Sequence, residues 1–301
     1  MLAWIPVLFW IASFSAPNLP VVFQDPVETG PAAPPQEIER LEAWPELERK
    51  LRSRLKIEID KLRKAATPGM ESSAREALAE LGAKAAPQLL LALAGERKQE
   101  ARERFASVLE ELTDARHTRL LAEFFDDKRL ELRVFCLRRV ACFPDPGVRA
   151  AAEKAWKRIC ALDEKDRADE RELYGAALAA TSSGSIQALD AVLERAKSNW
   201  RKEAKTIRAA CEGARSESAT EKLLKRLRGT KQEQLAALRM LSGCGTKTAL
   251  PELKLLLNSS NQPVRTATID ALRGIVDGAP PLGKTSVFDT IREIDAWKER
   301  I

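Results

Sequence analysis

A leucine-rich helix start recurs in the same form at two distant points of the chain. Pro87 precedes the run Gln-Leu-Leu-Leu-Ala-Leu, and Pro251 precedes the run Glu-Leu-Lys-Leu-Leu-Leu. Proline is tolerated in the first turn of a helix, where its missing N–H would find no partner anyway. The two prolines lie 164 residues apart, which fits five stacked helical hairpins of about 33 residues each. Because one hairpin cannot bury its own apolar face, such units must stack on their neighbours.

Composition favours helices along the whole chain. Of 301 residues, 45% are hydrophobic and 31% are charged, which is enough to build a sizeable core and excludes a disordered or membrane-filling protein. Alanine, leucine, glutamate, arginine and lysine dominate, and all five are good helix formers. The β-branched and aromatic runs that strands need are missing. The sequence therefore predicts an all-α fold without strands.

Apolar residues recur at helical spacing, as in the series Ala101, Phe105, Val108 and Leu112. Such a stripe is typical of a helix side buried against the neighbouring hairpin. Glycine, proline, serine and aspartate separate the helical stretches. The helices are predicted at about residues 71–81, 84–94, 97–112, 116–125, 128–141, 147–161, 166–180, 185–197, 199–212, 217–228, 231–242, 247–257 and 262–275.

Two segments carry a family resemblance. Residues 261–272 read Asn-Gln-Pro-Val-Arg-Thr-Ala-Thr-Ile-Asp-Ala-Leu, which resembles the second helix of a HEAT repeat. Residues 145–156 match the same pattern on what the spacing makes a first helix. The resemblance covers about residues 70–276 and implies a right-handed, armadillo-type α-solenoid of about six to seven antiparallel helix pairs that binds partners along its inner surface. It also implies that Arg149 and Arg265 pair with an aspartate of a neighbouring unit.

The N-terminal residues predict an exported protein. Residues 1–16 form a short apolar run ending in small residues, typical of a secretory signal peptide, although no lysine or arginine precedes the run. An uncleaved N-terminal anchor and a misassigned start therefore stay open. Residues 17–35 contain six prolines and predict a disordered tether. Residues 36–69 predict a charged helical segment, broken or restarted near Pro45. The expected location is periplasmic or extracellular, and the anchor alternative adds a membrane tether.

Residues 277–301 are predicted to be a linker and a capping helix. Within them Gly278 to Thr285 satisfies the phosphate-binding pattern G-x-x-x-x-G-K-[ST]. A P-loop needs a strand before it and a parallel sheet around it, whereas a helix is predicted before this segment and 16 residues follow it. Pro280 and Pro281 also remove two N–H donors. The apolar side of the capping helix is predicted to consist of Val287, Ile291, Ile294 and Trp297.

Side chains suited to catalysis or metal binding are sparse. His117 is the only histidine, and we expect it at the surface. Cys136, Cys160 and Cys211 lie within predicted helices, where they are expected to pack as small core residues. The chain has no CxxC pair, no G-x-S-x-G elbow and no H-E-x-x-H motif. We therefore expect no catalytic residue, no cofactor, no metal site and no enzymatic activity.

The strongest basic cluster lies in the second half of the chain. Fifty basic and 44 acidic side chains give a net charge of +6, a small excess that is usual for a solvated surface. Helical spacing nevertheless places Arg201, Lys205 and Arg208 on one side of a helix, next to Trp200. These four residues are the candidate partner-binding site. If they line the inner surface they could hold an acidic partner, and otherwise they are solvated.

The preferred hypothesis is a non-enzymatic HEAT-repeat scaffold that mediates protein–protein interaction outside the cytoplasm. A protein partner is expected and nucleic acid is not, and contact with a membrane is expected only through an N-terminal anchor. One alternative is a DNA-binding solenoid similar to HEAT-like alkylbase glycosylases, using a basic groove. The others are a HEAT-like lyase acting on a bilin-carrying protein and an envelope structural element that uses the tether as a spacer.

Overall fold

The computed structural model describes residues 38–162, 169–283 and 286–301. The predicted signal peptide and tether lie outside these ranges. Within them helices are the regular secondary structure and no strand occurs, which confirms the all-α prediction. The helices are α1 (Leu51–Lys64), α2 (Pro68–Leu81), α3 (Ala86–Gly95), α4 (Gln99–Leu112), α5 (Thr118–Ala122), α6 (Leu130–Val140), α7 (Arg149–Cys160), α8 (Glu170–Ser182), α9 (Leu189–Gly213), α10 (Glu217–Arg226), α11 (Lys231–Cys244), α12 (Leu250–Leu256), α13 (Gln262–Leu272) and α14 (Val287–Arg300).

Consecutive helices form hairpins that stack into a solenoid. The pairs are α1 with α2, α3 with α4, α5 with α6, α7 with α8, α10 with α11, and α12 with α13. Along the stack α6 packs on α8, α8 on α9, α9 on α11, and α11 on α13. We call the row of α4, α6, α8, α9, α11 and α13 the second-helix layer. This stacking is the helical-repeat architecture expected from the periodicity.

Local sequence explains where the helices start. Pro87 and Pro251 occupy the first turns of α3 and α12, as predicted. The side chain of Asn261 accepts a hydrogen bond from the backbone N–H of Val264 at 3.3 Å and so caps α13, the helix with the best HEAT resemblance. In α3, Leu89, Leu90 and Leu93 are buried and Leu91 is exposed, so most of the leucine run forms part of the core.

Helix α9 is a single helix of 25 residues where two helices were predicted. The residues around the predicted break, from Lys197 to Trp200, include no glycine or proline, so nothing in the backbone ends the helix. At 1.5 Å per residue α9 is about 37 Å long. Its first turn reaches α10, where Asp190 pairs with Lys222 and Arg226, each at 2.9 Å. Its second half lies between α8 and α11.

Small residues allow neighbouring second helices to approach closely. A Cβ atom added at Gly213 would lie 1.8 Å from the carbonyl oxygen of Ser182, and one at Gly274 would lie 2.0 Å from that of Ser242. At Gly243 an added Cβ would lie 2.7 Å from the Cβ of Cys211. Successive glycines of this series are 30 and 31 residues apart, so the repeat length is visible in the packing itself.

The expected aspartate partners of Arg149 and Arg265 are absent among the described residues. Arg149 pairs with Glu153 of its own helix, with Nε and Oε1 3.0 Å apart, because that glutamate lies one turn away on the same face. Arg265 donates to the carbonyl oxygen of Ser259 at 2.6 Å. The expectation that these two arginines link neighbouring units is therefore wrong.

His117 is buried, with 1% of its surface exposed, so the prediction of a surface position is wrong. The stretch before α1 is not helical, in keeping with Pro45, and it brings Trp44 onto the histidine. The two rings stack with centroids 5.4 Å apart. The Nδ1 atom of His117 lies 2.9 Å from an oxygen of Asp114. Helical periodicity is a local signal, so it contains no information about contact with a residue as distant in the sequence as Trp44.

Two other burial expectations are wrong in part. Cys136 and Cys211 are buried as expected, but Cys160 at the end of α7 is exposed. In α14, Ile294 and Trp297 are buried and cap the last repeat. Val287 and Ile291, predicted on the same side of this helix, are exposed, because the buried side of α14 instead follows Thr290, Ile294 and Trp297.

One helical run in the described residues, Pro68–Gly95, is long and apolar enough to cross a membrane by length and composition. It consists of α2 and α3, separated by a short 3-10 turn that begins at Gly82. Leu78 and Leu89 from the two helices are fully buried in the core. The apolar character of this run is therefore accounted for by packing within the first repeats.

Candidate functional site

The four residues predicted as a partner-binding site all lie on α9, but they face two directions. Trp200 and Arg208 face α11 and line a cleft there. Arg201 is exposed beside that cleft. Lys205 is also exposed and borders a second groove between α4, α6, α8 and α9. The structure thus brings two of the four residues together and leaves the other two near the rim.

The cleft lies across three successive second helices and has a volume of about 420 Å³. We call it the α9–α11 cleft. Its size falls within the range of about 300–1,000 Å³ that is usual for ligand sites. The residues that define it here are Trp200, Arg208, Arg239, Thr266, Asp270 and Pro281.

One wall of the cleft is the linker that resembles a P-loop. The backbone N–H of Leu282 donates to the carboxylate of Asp270 at 3.0 Å, and Arg273 donates to the carbonyl oxygen of Pro280 at 3.0 Å. These bonds hold the linker against α13. Helix α13 and a π-helical turn precede it, so the strand that a P-loop requires does not lie there. The two last residues of the motif lie outside the described ranges.

Two guanidinium groups lie against one indole ring. The Cζ atom of Arg239 is 5.2 Å from the centroid of Trp200, and that of Arg208 is 5.8 Å from it. Both distances are within the range of a cation–π contact. The ring therefore forms the floor beneath two positive charges that come from neighbouring helices.

Neither arginine has an anionic partner within the described residues. No side-chain hydrogen bond or ion pair is formed by Arg208 or Arg239, and the Nε atom of Arg208 is buried without a partner. Arg102, Arg104 and Arg158 also have a buried Nε without a hydrogen bond, but each donates from a terminal nitrogen, to Glu131, to the carbonyl oxygen of Arg63 and to Glu172. The cleft is therefore different, because neither of its arginines donates a hydrogen bond within the described residues.

Burial perturbs the charged groups of the cleft. Desolvation raises the pKa of Asp270 above its ordinary value, although the N–H of Leu282 and the charge of Arg208 oppose the rise. Desolvation lowers the pKa of Arg239, and the neighbouring charge of Arg201 lowers it further, while Asp270 acts in the opposite direction. Asp270 thus acts on both arginines through space, and no hydrogen bond or ion pair joins it to either of them in the described residues.

The rest of the second-helix layer shows the opposite arrangement. Glu131 of α6 pairs with Arg102 of α4 and, at 3.0 Å, with Arg171 of α8. Glu172 of α8 pairs with Arg133 of α6 at 2.6 Å. These bonds join successive helices in a ladder of ion pairs.

Helix α9 is the boundary between the two arrangements. On the side toward α8, Glu203 pairs with Arg195 at 2.5 Å and lies 3.7 Å from Arg138 of α6. On the side toward α11, Arg208 lacks such a partner in the described chain. The candidate site therefore begins where the ladder of ion pairs ends.

The second groove has a volume of about 520 Å³. The Sγ atom of Cys142 lies 3.8 Å from the hydroxyl of Thr206 at its edge. Its arginines are satisfied, since Arg139 donates to the carbonyl oxygens of Glu110 and Thr113. In the parts of the chain that the structure covers, no group of acidic, cysteine and histidine side chains is placed to hold a metal ion. This groove has fewer unsatisfied groups to offer a ligand than the α9–α11 cleft.

Arg239 and Asp270 were missed by reasoning from the sequence, although a signal for them exists. Arg208, Arg239 and Asp270 are spaced 31 residues apart, which is one repeat. Equivalent positions on stacked second helices lie side by side. Aligning the second helices by this spacing would have brought the three side chains together.

No protein-family model matches the sequence, and no curated protein matches it significantly. Among solved structures, the chain is similar to the complex of CpcE and CpcF of phycocyanin lyase from Nostoc sp. PCC7120. The two share 18% sequence identity over 89% of this chain and 99% of that chain, with a TM-score of 0.44.

The similar structure belongs to a lyase, and this finding contradicts the expectation that the chain is not an enzyme. That exclusion is therefore withdrawn. A likeness at this level of identity assigns no activity to the chain, so function has to be argued from the cleft itself.

Proposed function

We propose that the chain is a helical-repeat binding protein that holds an acidic segment of a protein partner across α9 and α11. The observation that carries this proposal is a group of three cations, Arg201, Arg208 and Arg239, near Trp200, with Lys205 exposed further along α9. None of them has an ion-pair partner in the described residues. Complementary charge steers a partner to such a surface and fixes its register.

The extent of the cationic surface favours a protein segment over nucleic acid. The four cations of this surface lie on α9 and α11, whereas on α6 and α8 Arg133 and Arg171 are neutralised by Glu172 and Glu131. Asp270 adds a carboxyl group to the cleft itself. A duplex presents one negative charge per ~1.7 Å of its axis and needs a longer basic track. A short acidic segment fits the patch better.

A titration with a defined peptide tests this function. The probe is an acetylated, amidated and fluorescently labelled peptide of alternating glutamate and serine, and its control replaces each glutamate by glutamine. We expect the glutamate peptide to bind and its affinity to fall as salt rises from about 50 to about 200 mM, because the contact is electrostatic. Fluorescence anisotropy of the full chain gives both affinities.

A charge-reversal variant locates the bound peptide. Arg201→Glu is expected to weaken binding several-fold, because it replaces a cation beside the cleft by a negative charge. Arg292→Glu makes the same change on α14, where the side chain is 79% exposed, and is expected to leave binding intact. Equal affinity for the glutamate and glutamine peptides, or tighter binding of a duplex DNA, would contradict the proposal.

A lyase that acts on a protein is the alternative function, and it would use the same surface to hold its substrate. Binding alone does not separate the two functions. Mass spectrometry of a captured partner before and after incubation does, because a lyase changes the covalent mass of its substrate and a scaffold leaves it unchanged.

The proposed location is outside the cytoplasm, and it rests on residues 1–16 of the sequence. N-terminal sequencing of the protein expressed from the full reading frame tests it. A mature chain that starts near residue 17 in an extracytoplasmic fraction would support export. An intact chain in the cytosol would contradict it.

A further inference from the structure

The four cations of the proposed binding surface are not equivalent. Arg201 and Lys205 are exposed, and water already solvates them. Arg208 and Arg239 are partly withdrawn from water and face the same indole ring. An anion gains most where the cations are least solvated. The cleft is therefore expected to contribute more to binding than its rim.

We propose that the α9–α11 cleft is a carboxylate pocket that takes the side chain of one glutamate or aspartate of the acidic segment. The guanidinium groups of Arg208 and Arg239 hold the two carboxylate oxygens, and Trp200 lies beneath them. This inference rests on the proposed function, since it names the part of the partner that enters the cleft.

The geometry supports a carboxylate between the two arginines. Both Cζ atoms lie within 6 Å of the same ring centroid, and both side chains line the cleft. A guanidinium group carries five donors in a planar fork, and a carboxylate accepts several hydrogen bonds on two oxygens. A carboxylate that enters the cleft can therefore accept hydrogen bonds from the terminal nitrogens of both arginines.

The opposite wall favours a single negative charge over a phosphate group. Asp270 lines the cleft, and its carboxyl group accepts from the N–H of Leu282. A phosphate carries about 1.5 to 2 negative charges at neutral pH and would meet this carboxyl group across the cleft. A carboxylate carries one negative charge and would be repelled less by Asp270.

The rim favours a side chain over a chain terminus. Arg201 lies exposed beside the cleft and Lys205 lies exposed further along α9, and other acidic residues of a partner segment can reach them. A terminal carboxylate would satisfy the cleft and leave these two cations unpaired. The occupant is therefore an acidic side chain within a segment that carries further acidic residues.

Single neutralising variants test the pocket with the glutamate–serine peptide. We expect Arg208→Gln and Arg239→Gln each to weaken binding about tenfold, because each removes a hydrogen bond to a charged group. Arg201→Gln and Lys205→Gln are expected to weaken binding about twofold, as exposed charges do. Arg292→Gln on α14 is the matched control for the loss of one charge. Far-UV circular dichroism and the melting temperature show whether each variant is folded.

The outcomes separate the pocket from the proposed function. Equal losses for all four variants would overturn the pocket and leave an acidic partner on the surface. No binding of the peptide to the unaltered chain would overturn both. Arg239→Lys keeps the positive charge but removes the planar guanidinium group with its five donors. A loss of affinity close to that of Arg239→Gln therefore supports the pocket, whereas full retention of affinity overturns it. Tighter binding of inorganic phosphate than of acetate to the chain would also overturn it.

Discussion

In the first half of the second-helix layer Arg102, Arg133 and Arg171 each meet a glutamate of a neighbouring helix, whereas in the second half Arg208 and Arg239 meet a tryptophan. The fold is the same in both halves, since second helices stack on one another in each. The two halves differ in whether these arginines form an ion pair with a carboxylate. Both halves are therefore built from stacked helices, and only the first half also joins neighbouring helices by ion pairs.

The carboxyl groups differ between the halves in the same way. The pKa of Asp127 is lowered to about 2, chiefly by hydrogen bonds from Arg129. Burial works to raise the pKa of Glu172, but hydrogen bonds from Arg133 and Arg158 lower it below its ordinary value. Burial raises the pKa of Asp270, since no ion pair reaches it. Charges in the first half are satisfied internally, and those in the second half are available to a ligand.

The largest effect on stability is expected at the centre of the ladder of ion pairs. Glu172 is 8% exposed and pairs with two arginines, so Glu172→Ala leaves Arg133 without its counter-charge and Arg158 with Asp126 alone. We expect the free energy of unfolding to fall by about 3 kcal/mol, measured by urea denaturation. Glu299→Ala on the exposed side of α14 is the control. A loss below about 0.5 kcal/mol, the usual range for surface changes, would show that the ladder does not hold the helices together.

A smaller effect is expected in the cleft. Arg239→Met removes a partly buried charge that has no ion-pair partner in the described residues, and it also removes the contact with Trp200. The relief of desolvation and the lost cation–π contact act in opposite directions. We therefore expect the free energy of unfolding to change by less than about 1 kcal/mol in the same urea assay. A loss as large as that of Glu172→Ala would mean that Arg239 has a structural role.

The dependence of stability on pH distinguishes Asp270 from the carboxyl groups of the first half. Its pKa is higher in the folded chain than the ordinary value of 3.8, so the folded state binds the proton more tightly. The wild-type protein is therefore expected to lose stability relative to Asp270→Asn as pH rises through the raised pKa. Below the ordinary pKa the difference is expected to vanish.

Urea denaturation of both proteins at about pH 3.5, 5 and 7 covers this window. Asparagine keeps an oxygen that can accept from the N–H of Leu282, so the comparison isolates the charge. If Asp270→Asn is the less stable protein at pH 7, the carboxylate is stabilised by its neighbours and is not a desolvated group.

The smallest effect on stability is expected at the rim. Arg201→Gln removes an exposed cation without an ion-pair partner among the described residues. We expect the free energy of unfolding to stay within about 0.5 kcal/mol of the wild-type value. A larger loss in the urea assay would contradict the assignment of this side chain to binding.

Much of the fold follows from the sequence because helical stripes and helix-start prolines are local signals. Pro87 and Pro251 mark first helices, and residues 261–272 mark a second one. The predictions that were wrong depend on contacts between residues distant in the sequence or on the absence of a local signal. The stacking of Trp44 on His117 joins residues 73 positions apart, and α9 continues because no residue stops it.

Half of the candidate site was predictable from the sequence. Trp200 and Arg208 were found from the helical spacing within α9, which is local. Arg239 and Asp270 belong to other helices, and only the repeat spacing of 31 residues connects them to Arg208. Whether an arginine has a counter-charge is decided by the side chains of the neighbouring helices, so the sequence could not separate Arg208 from the paired Arg102.

Indole resonances show whether an acidic segment binds at Trp200 and not elsewhere on the second-helix layer. The ¹⁵N-labelled chain is titrated with the glutamate–serine peptide, and Trp200→Phe assigns the signal. We predict that the Nε1–H resonance of Trp200 moves with saturation while those of Trp44 and Trp156 stay fixed. Binding that leaves Trp200 unchanged, or that moves Trp44 instead, would contradict the account.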